Sequence, residues 1–124
     1  MMEPLQLSQT VMDEYSARIL MGTFERPVSA LELSRRFGIP IAACYRRIKE
    51  LEGLGLVYCE QELPSRNGKG LQLFRSRLKS VRITLEDGNL RARVEVGPPG
   101  VLAAPQGEVR EQTLNLRGAA PVPA

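Results

Sequence analysis

The amino-acid sequence predicts an α+β fold with helices in its first half and β-hairpins in its second half. Two short amphipathic helical patterns joined by a turn lie between residues 29 and 58, and two hairpin patterns follow them. A chain of 124 residues with 43% hydrophobic residues is most simply one compact domain. We place this domain over residues 1–96.

The N-terminal part predicts one scaffold helix. Residues 1–7 show no periodicity, and we interpret them as a flexible lead-in or a strap onto a partner subunit. Asp13 can cap a helix that continues to about Phe24, because its carboxylate accepts a hydrogen bond from a first-turn N–H. Ile19, Leu20 and Phe24 are expected to pack against the later helices.

The first helix of the central pair begins after Ser29. Ser29 and Glu32 have the spacing of a capping box, so the helix is expected to start at Ala30. Gly38 supplies the left-handed residue that commonly ends a helix. The apolar residues at helical spacing are Leu31, Leu33 and Phe37.

The second helix of the pair begins near Pro40 or Ile41 and covers about residues 41–52, before Gly53 and Gly55. One stripe of this helix is apolar: Ile41, Cys44, Ile48 and Leu51. The other positions are small, aromatic or charged: Ala42, Ala43, Tyr45, Arg46, Arg47, Lys49 and Glu50. The pair therefore has the outline of a helix-turn-helix.

The segment LSRRFGIPIAACYRRIKELEGLGLVY resembles the recognition unit of winged helix-turn-helix transcription regulators of the ArsR and MarR type. In that pattern a Leu-x-x-x-x-Gly-Ile turn precedes a recognition helix that ends in Leu-x-x-Leu-Gly-Leu-Val. The matching residues are Leu33, Gly38, Ile39, Leu51, Leu54, Gly55, Leu56 and Val57. The resemblance covers roughly residues 13–77, and it implies three helices, a wing hairpin and DNA as the partner.

The predicted wing covers about residues 56–77. Two strands flank a loop of Pro, Ser, Asn and Gly, and Arg66 and Lys69 lie at its tip. Such a tip suits a phosphate backbone or the minor groove, while the alternative is an ordinary exposed hairpin made soluble by its charges. Val28 is a candidate for a short strand that pairs with the wing.

Charge is concentrated on this motif. Residues 1–34 carry a net charge of −3, residues 35–82 of +7, and residues 83–124 of −1. A basic surface over a helix-turn-helix is typical of phosphate binding, although a solvated basic face is the alternative. We predict base contacts from Tyr45, Arg46 and Arg47 and close approach of the helix at Ala42 and Ala43. The predicted phosphate contacts are Arg35, Arg36, Lys49, Arg66 and Lys69.

A second hairpin is predicted over residues 80–96. If Asp87-Gly88 is the turn, one face of the hairpin is apolar, with Leu85 opposite Leu90, Ile83 opposite Ala92 and Val81 opposite Val94. On the other face Arg82 lies opposite Arg93, a like-charge pair. The apolar face must dock on the chain's own helices, extend the wing sheet or pair with a second copy. We predict a homodimer with this hairpin or the first helix in its interface, because two-fold symmetry suits a palindromic DNA site.

Residues 97–124 are rich in Pro, Gly and Ala and predict a disordered, flexible tail, with a short strand over 109–116 as the alternative.

The absence of histidine and of any recognisable nucleophile argues against an enzyme. Cys44 and Cys59 lack the spacing of a metal site, so a core role for Cys44 is favoured over redox sensing. We expect double-stranded DNA and a second copy as partners, no cofactor, no membrane association and a cytoplasmic location. No small-molecule effector is indicated, and the alternative function is a winged-helix protein-interaction module or a subunit of a larger assembly.

Overall fold

The computed structural model of the chain describes residues 4–64, 70–97 and 108–118, and these residues form four helices and two three-stranded antiparallel sheets. The helices are α1 (Pro4–Met12), α2 (Glu14–Gly22), α3 (Ala30–Phe37) and α4 (Ile41–Gly53). The strands are β1 (Val28–Ser29), β2 (Val57–Leu63), β3 (Leu71–Ser76), β4 (Leu78–Glu86), β5 (Asn89–Val96) and β6 (Glu108–Asn115). The order is β1-β3-β2 in the first sheet and β4-β5-β6 in the C-terminal sheet. The predicted α+β class is confirmed.

Capping residues set the ends of α2 and α3. The Asp13 carboxylate accepts a backbone N–H of the first turn of α2 at 3.0 Å, and the Ser29 hydroxyl accepts the Glu32 N–H at 3.1 Å. Gly38 ends α3 in the left-handed conformation, with φ of 65°. The predicted start and end of α3 are therefore confirmed. The Glu32 side chain, however, pairs with Arg26 rather than completing the capping box.

The helices α2, α3 and α4 and the first sheet share one core. Its buried side chains in this part of the chain include Ile19, Leu20, Val28, Leu33, Cys44, Ile48, Leu51, Leu56 and Phe74. Val28 pairs with Phe74 across β1 and β3, as the sequence predicted. The prediction that Phe24 and Ile41 are core residues is wrong. Phe24 lies past the end of α2 and Ile41 lies in the first turn of α4, and each is 41% exposed.

An additional helix, α1, corrects the prediction for the N-terminus. Residues 4–12 are helical, so a flexible lead-in is wrong from residue 4 onward, and residues 1–3 lie outside the described ranges. α1 packs on β5 and β6, and its Leu7 is buried in the same cluster as Ala92 and Val94. This helix was not predicted, because its apolar side packs on strands near the other end of the chain and not on neighbouring residues.

The pairing of β4 with β5 follows the predicted register. Leu85 lies opposite Leu90, Ile83 opposite Ala92 and Val81 opposite Val94. Asp87 and Gly88 have φ of 52° and 75°, as a two-residue type I′ turn requires. The apolar face of β5 is covered by α1, so the hairpin docks on a helix of its own chain.

The strand β6 corrects the prediction of a flexible tail over residues 108–115 and confirms the alternative of a short strand there. Residues 108–115 pair with β5 along their whole length, while residues 98–107 and 119–124 lie outside the described ranges. The third strand also changes the surroundings of the like-charged pair Arg82 and Arg93, because it places Glu111 directly opposite Arg93. An acidic neighbour within the chain therefore offsets the repulsion that the two-stranded hairpin would suffer.

Candidate nucleic-acid interface

The turn between α3 and α4 fixes the direction in which α4 leaves the core. After Gly38, the Ile39 N–H donates to the Ser34 carbonyl at 3.0 Å, and the Ile39 side chain is buried. Pro40 then precedes the first residue of α4 as its N-cap, where a missing N–H costs no helical hydrogen bond. Because Cys44, Ile48 and Leu51 are buried, the opposite side of α4 faces solvent.

The exposed side of α4 carries most of the residues of this helix that the sequence predicted for contact with DNA. Ala42, Arg46 and Lys49 are exposed, and Tyr45 is 48% exposed. Within the described residues, no carboxylate lies within ion-pair distance of Arg46 or Lys49. Ala43 is half-buried and packs against the core, so it is less open than predicted. Two cations and one aromatic side chain of α4 are thus accessible to a ligand.

Arg47 differs from its neighbours because it binds Asp13. Its Nε donates to Oδ2 at 2.8 Å and its Nη2 to Oδ1 at 3.3 Å, a bidentate pair that joins α4 to the N-terminus of α2. Hydrogen bonding to Arg47 and to Ser16 lowers the pKa of Asp13, against the opposing effect of partial burial. Asp13 therefore caps α2 and holds Arg47 at the same time.

Arg35 and Arg36 are exposed in the last turn of α3, where positive charge complements the helix dipole. The Arg36 guanidinium lies 5.0 Å from the centre of the Phe37 ring, and Arg18 lies 5.9 Å from the same ring. Arg18 and Arg36 thus both lie within cation–π distance of the Phe37 ring. A basic patch thus continues from α4 onto the end of α3.

The hairpin of β2 and β3 occupies the place predicted for the wing. Its strands pair from Val57 with Ser76 to Leu63 with Leu71, with an irregularity near Glu60. Arg66 and Lys69, the predicted tip cations, lie outside the described residues. The bulged Glu60 binds Arg75 at 3.3 Å, an ion pair that the sequence did not indicate.

The C-terminal end of α4 is attached to the C-terminal sheet. The Leu54 carbonyl accepts Arg110 Nη1 of β6 at 3.3 Å, and the Leu56 carbonyl accepts the Arg77 N–H at 2.8 Å. Arg110 is oriented by Glu108, which its Nε contacts at 2.9 Å. This contact was not predicted, because no sequence pattern around Arg110 indicates that it binds the carbonyl at the end of a distant helix.

The thiol of Cys44 belongs to the core of this site. It is fully buried and donates to the Ala30 carbonyl at 3.4 Å, which ties α4 to the first turn of α3. Burial raises the pKa of the thiol, so the reactive thiolate is disfavoured at neutral pH. The core position predicted from the apolar stripe is confirmed.

The comparison with known families agrees with this geometry. Residues 11–60 match the model of the helix-turn-helix domain family, and this range contains α2, β1, α3, α4 and the start of β2. This part of the chain, 50 of its 124 residues, is therefore similar to a helix-turn-helix domain. The match supports DNA binding and transcription regulation, and it does not distinguish the ArsR or MarR type from others. No curated protein and no solved structure matches the chain significantly. In the described ranges, no helix combines the length and the apolar character needed to cross a membrane.

Proposed function

We propose that the chain is a DNA-binding transcription regulator that places α4 in the major groove. The observation that carries this proposal is the solvent-facing side of α4, where Tyr45, Arg46 and Lys49 are exposed within a matched helix-turn-helix domain. The major groove admits a single α-helix, and arginine can bind guanine O6 and N7 with two hydrogen bonds. We assign base contact to Arg46 and Tyr45 and phosphate contact to Lys49.

The neighbouring residues support this arrangement. Ala42 is small and exposed in the first turn of α4, so the helix N-terminus can approach the groove closely. Arg35 and Arg36 at the end of α3 reach toward the backbone, where cations bind phosphates without reading sequence. Arg47 has its guanidinium on Asp13, and we assign it the task of holding the angle of α4 rather than the base contact predicted from its position.

We further propose that the hairpin of β2 and β3 acts as a wing on the backbone or in the minor groove, as in regulators of the ArsR and MarR type. The position of this hairpin directly after α4 supports the assignment, since it begins four residues past the end of the helix at Gly53. The regulator acts as a homodimer in this proposal, because two recognition helices about one DNA turn apart read a palindromic site. The exposed Leu85 and the half-buried Val81 and Ile83 of β4 support such an interface.

The test is binding of the full chain to random duplex DNA and to its own promoter region across a salt series. We expect affinity to fall steeply with salt, with a slope that reports the number of phosphates contacted, and the promoter to bind more tightly. No binding to either duplex at low salt would refute the proposal. That result would favour a protein-interaction module, for which the apolar groove beside β4 is the supporting feature.

A further inference from the structure

The strand β4 is an edge strand with an unpaired side. Within the described residues it pairs with β5 alone. In a two-residue hairpin the pair that flanks the turn, here Glu86 and Asn89, exchanges both backbone hydrogen bonds, and the pattern alternates from there. The backbone N–H and C=O groups of Val81, Ile83 and Leu85 therefore point away from β5. This edge offers three donors and three acceptors to another strand.

The same edge borders an open apolar groove of about 640 Å³ between β4 and the helices α1 and α2. Met12 and Met21 on its helical wall are 77% and 65% exposed, and Leu85 farther along β4 is 74% exposed. An unpaired edge next to exposed apolar side chains favours association with another strand. The other edge strand, β6, instead contributes Glu108, Arg110 and Gln112 to the face that packs toward α1.

We propose that β4 pairs antiparallel with β4 of a second copy, about a two-fold axis through Ile83. In this register Ile83 lies opposite the partner's Ile83, and Val81 lies opposite the partner's Leu85. All outward-pointing backbone groups from Val81 to Leu85 are then satisfied, and the two C-terminal sheets become one six-stranded sheet. Leu85 of the partner subunit lies beside Val81, which lines the groove.

The charges of β4 favour a second copy as the occupant. On the polar face, Arg82 lies opposite the partner's Thr84, with the partner's Glu86 on one diagonal and the partner's Arg82 on the other, and the two-fold axis repeats these contacts. Each arginine thus has an acidic neighbour that offsets the like charge. A two-fold axis through Arg82 would place two arginines opposite each other. An axis through Thr84 would leave the outward groups of Val81 without a strand partner, because the turn at Asp87 would lie opposite it. The Ile83 register therefore pairs all the outward backbone groups from Val81 to Leu85 and avoids two directly opposed arginines.

This inference rests on the proposed homodimer, and sedimentation of the full chain without DNA tests it separately from DNA binding. We expect Leu85→Lys to raise the dimer dissociation constant at least tenfold. Because Leu85 is largely exposed, the substitution spares the protomer core. The matched control is Val109→Lys, an exposed apolar residue of β6, which should sediment like the unaltered chain. A monomeric unaltered chain at high concentration, or equal dissociation constants for the two variants, would overturn the inference.

Disulfide trapping tests the register. In a chain with Cys59→Ser, Ile83→Cys should form a cross-linked dimer, because directly opposed residues of a hydrogen-bonded pair have Cα atoms about 5.5 Å apart. Thr84→Cys in the same background should not, because its two copies are diagonal to each other in this register. Cross-linking of the Thr84 variant in place of the Ile83 variant would overturn the proposed axis. An unaltered chain that sediments as a dimer but binds neither duplex at low salt would refute the proposed function and leave this interface standing.

Discussion

Replacing Asp13 separates two contributions to stability. The carboxylate caps α2 through Ser16 and binds Arg47 at 2.8 and 3.3 Å. Loss of an N-cap costs about 1 kcal/mol, and the ion pair, with side chains 22% and 32% exposed, adds about 1 kcal/mol at most after solvent screening. Asp13→Ala should therefore lower the free energy of unfolding by about 2 kcal/mol, whereas Asp13→Asn, which retains a good cap, should lose about half of that.

The contribution of the ion pair depends on pH with a definite sign. Because the folded-state pKa of Asp13 is lowered, mainly by the hydrogen bonds from Arg47, the stabilisation is fully present above the unfolded-state pKa. It is lost as the pH falls through the lower folded-state pKa. The difference between the natural chain and Asp13→Asn should thus be constant near neutral pH and shrink below about pH 4.

Urea denaturation at pH 7 and across an acidic series measures both effects, and thermal midpoints should shift by roughly 3–5 °C per kcal/mol for a domain of this size. Glu14→Gln is the matched control, because among the residues that the structure describes Glu14 pairs only with the exposed Arg18. Its replacement should change stability by less than about 0.5 kcal/mol. Equal stability of Asp13→Asn and the natural chain at pH 7 would refute a stabilising pair. A difference that persists unchanged into acid would refute the assignment to the carboxylate charge.

Two further predictions concern helix packing and DNA contact. A Cβ at Gly22 would lie 2.7 Å from the Phe37 ring, so Gly22→Ala should lower the free energy of unfolding, measured by thermal denaturation, by about 1–3 kcal/mol. The control is Gly53→Ala, in open space at the end of α4, which should be neutral or raise the free energy of unfolding by up to about 1 kcal/mol. Equal effects of the two substitutions would contradict the packing argument. Arg46→Ala should weaken binding to the promoter site by about 1–3 kcal/mol, measured by fluorescence anisotropy. Arg91→Ala, an exposed arginine of β5, is its control, and an unchanged affinity of the Arg46 variant would remove Arg46 from base contact.

Local signals predicted the centre of the molecule well. The ends of α3 were predicted from Ser29 and Gly38, because a cap and a left-handed residue act on backbone groups only a few positions away. The turn at Asp87-Gly88 set the register of β4 and β5 for the same reason. The apolar stripe through Cys44 and Ile48 identified the buried side of α4, and with it the exposed side that forms the candidate site.

The missed features depend on contacts between distant parts of the chain. α1 is short and becomes stable where Leu7 packs near Ala92 and Val94, and β6 forms because β5 offers it a complete edge. The ion pair of Arg47 was not predicted from the sequence, which indicated only that this residue lies outside the apolar stripe of α4. A carboxylate 34 residues earlier binds it, and helical spacing carries no record of that partner.

These distant contacts also determine how a dimer would present its two recognition helices. Arg47 joins α4 to α2 through Asp13, and Arg110 joins the C-terminal end of α4 to β6. α4 is therefore linked to β6 at its C-terminal end and to the start of α2 through Arg47. If two C-terminal sheets join along β4 as proposed, the distance between the two copies of α4 is fixed by that sheet rather than by the helix-turn-helix itself. The spacing of DNA half-sites that the protein prefers should then change with substitutions that alter the β4 pairing, and remain unchanged when Arg46 is replaced.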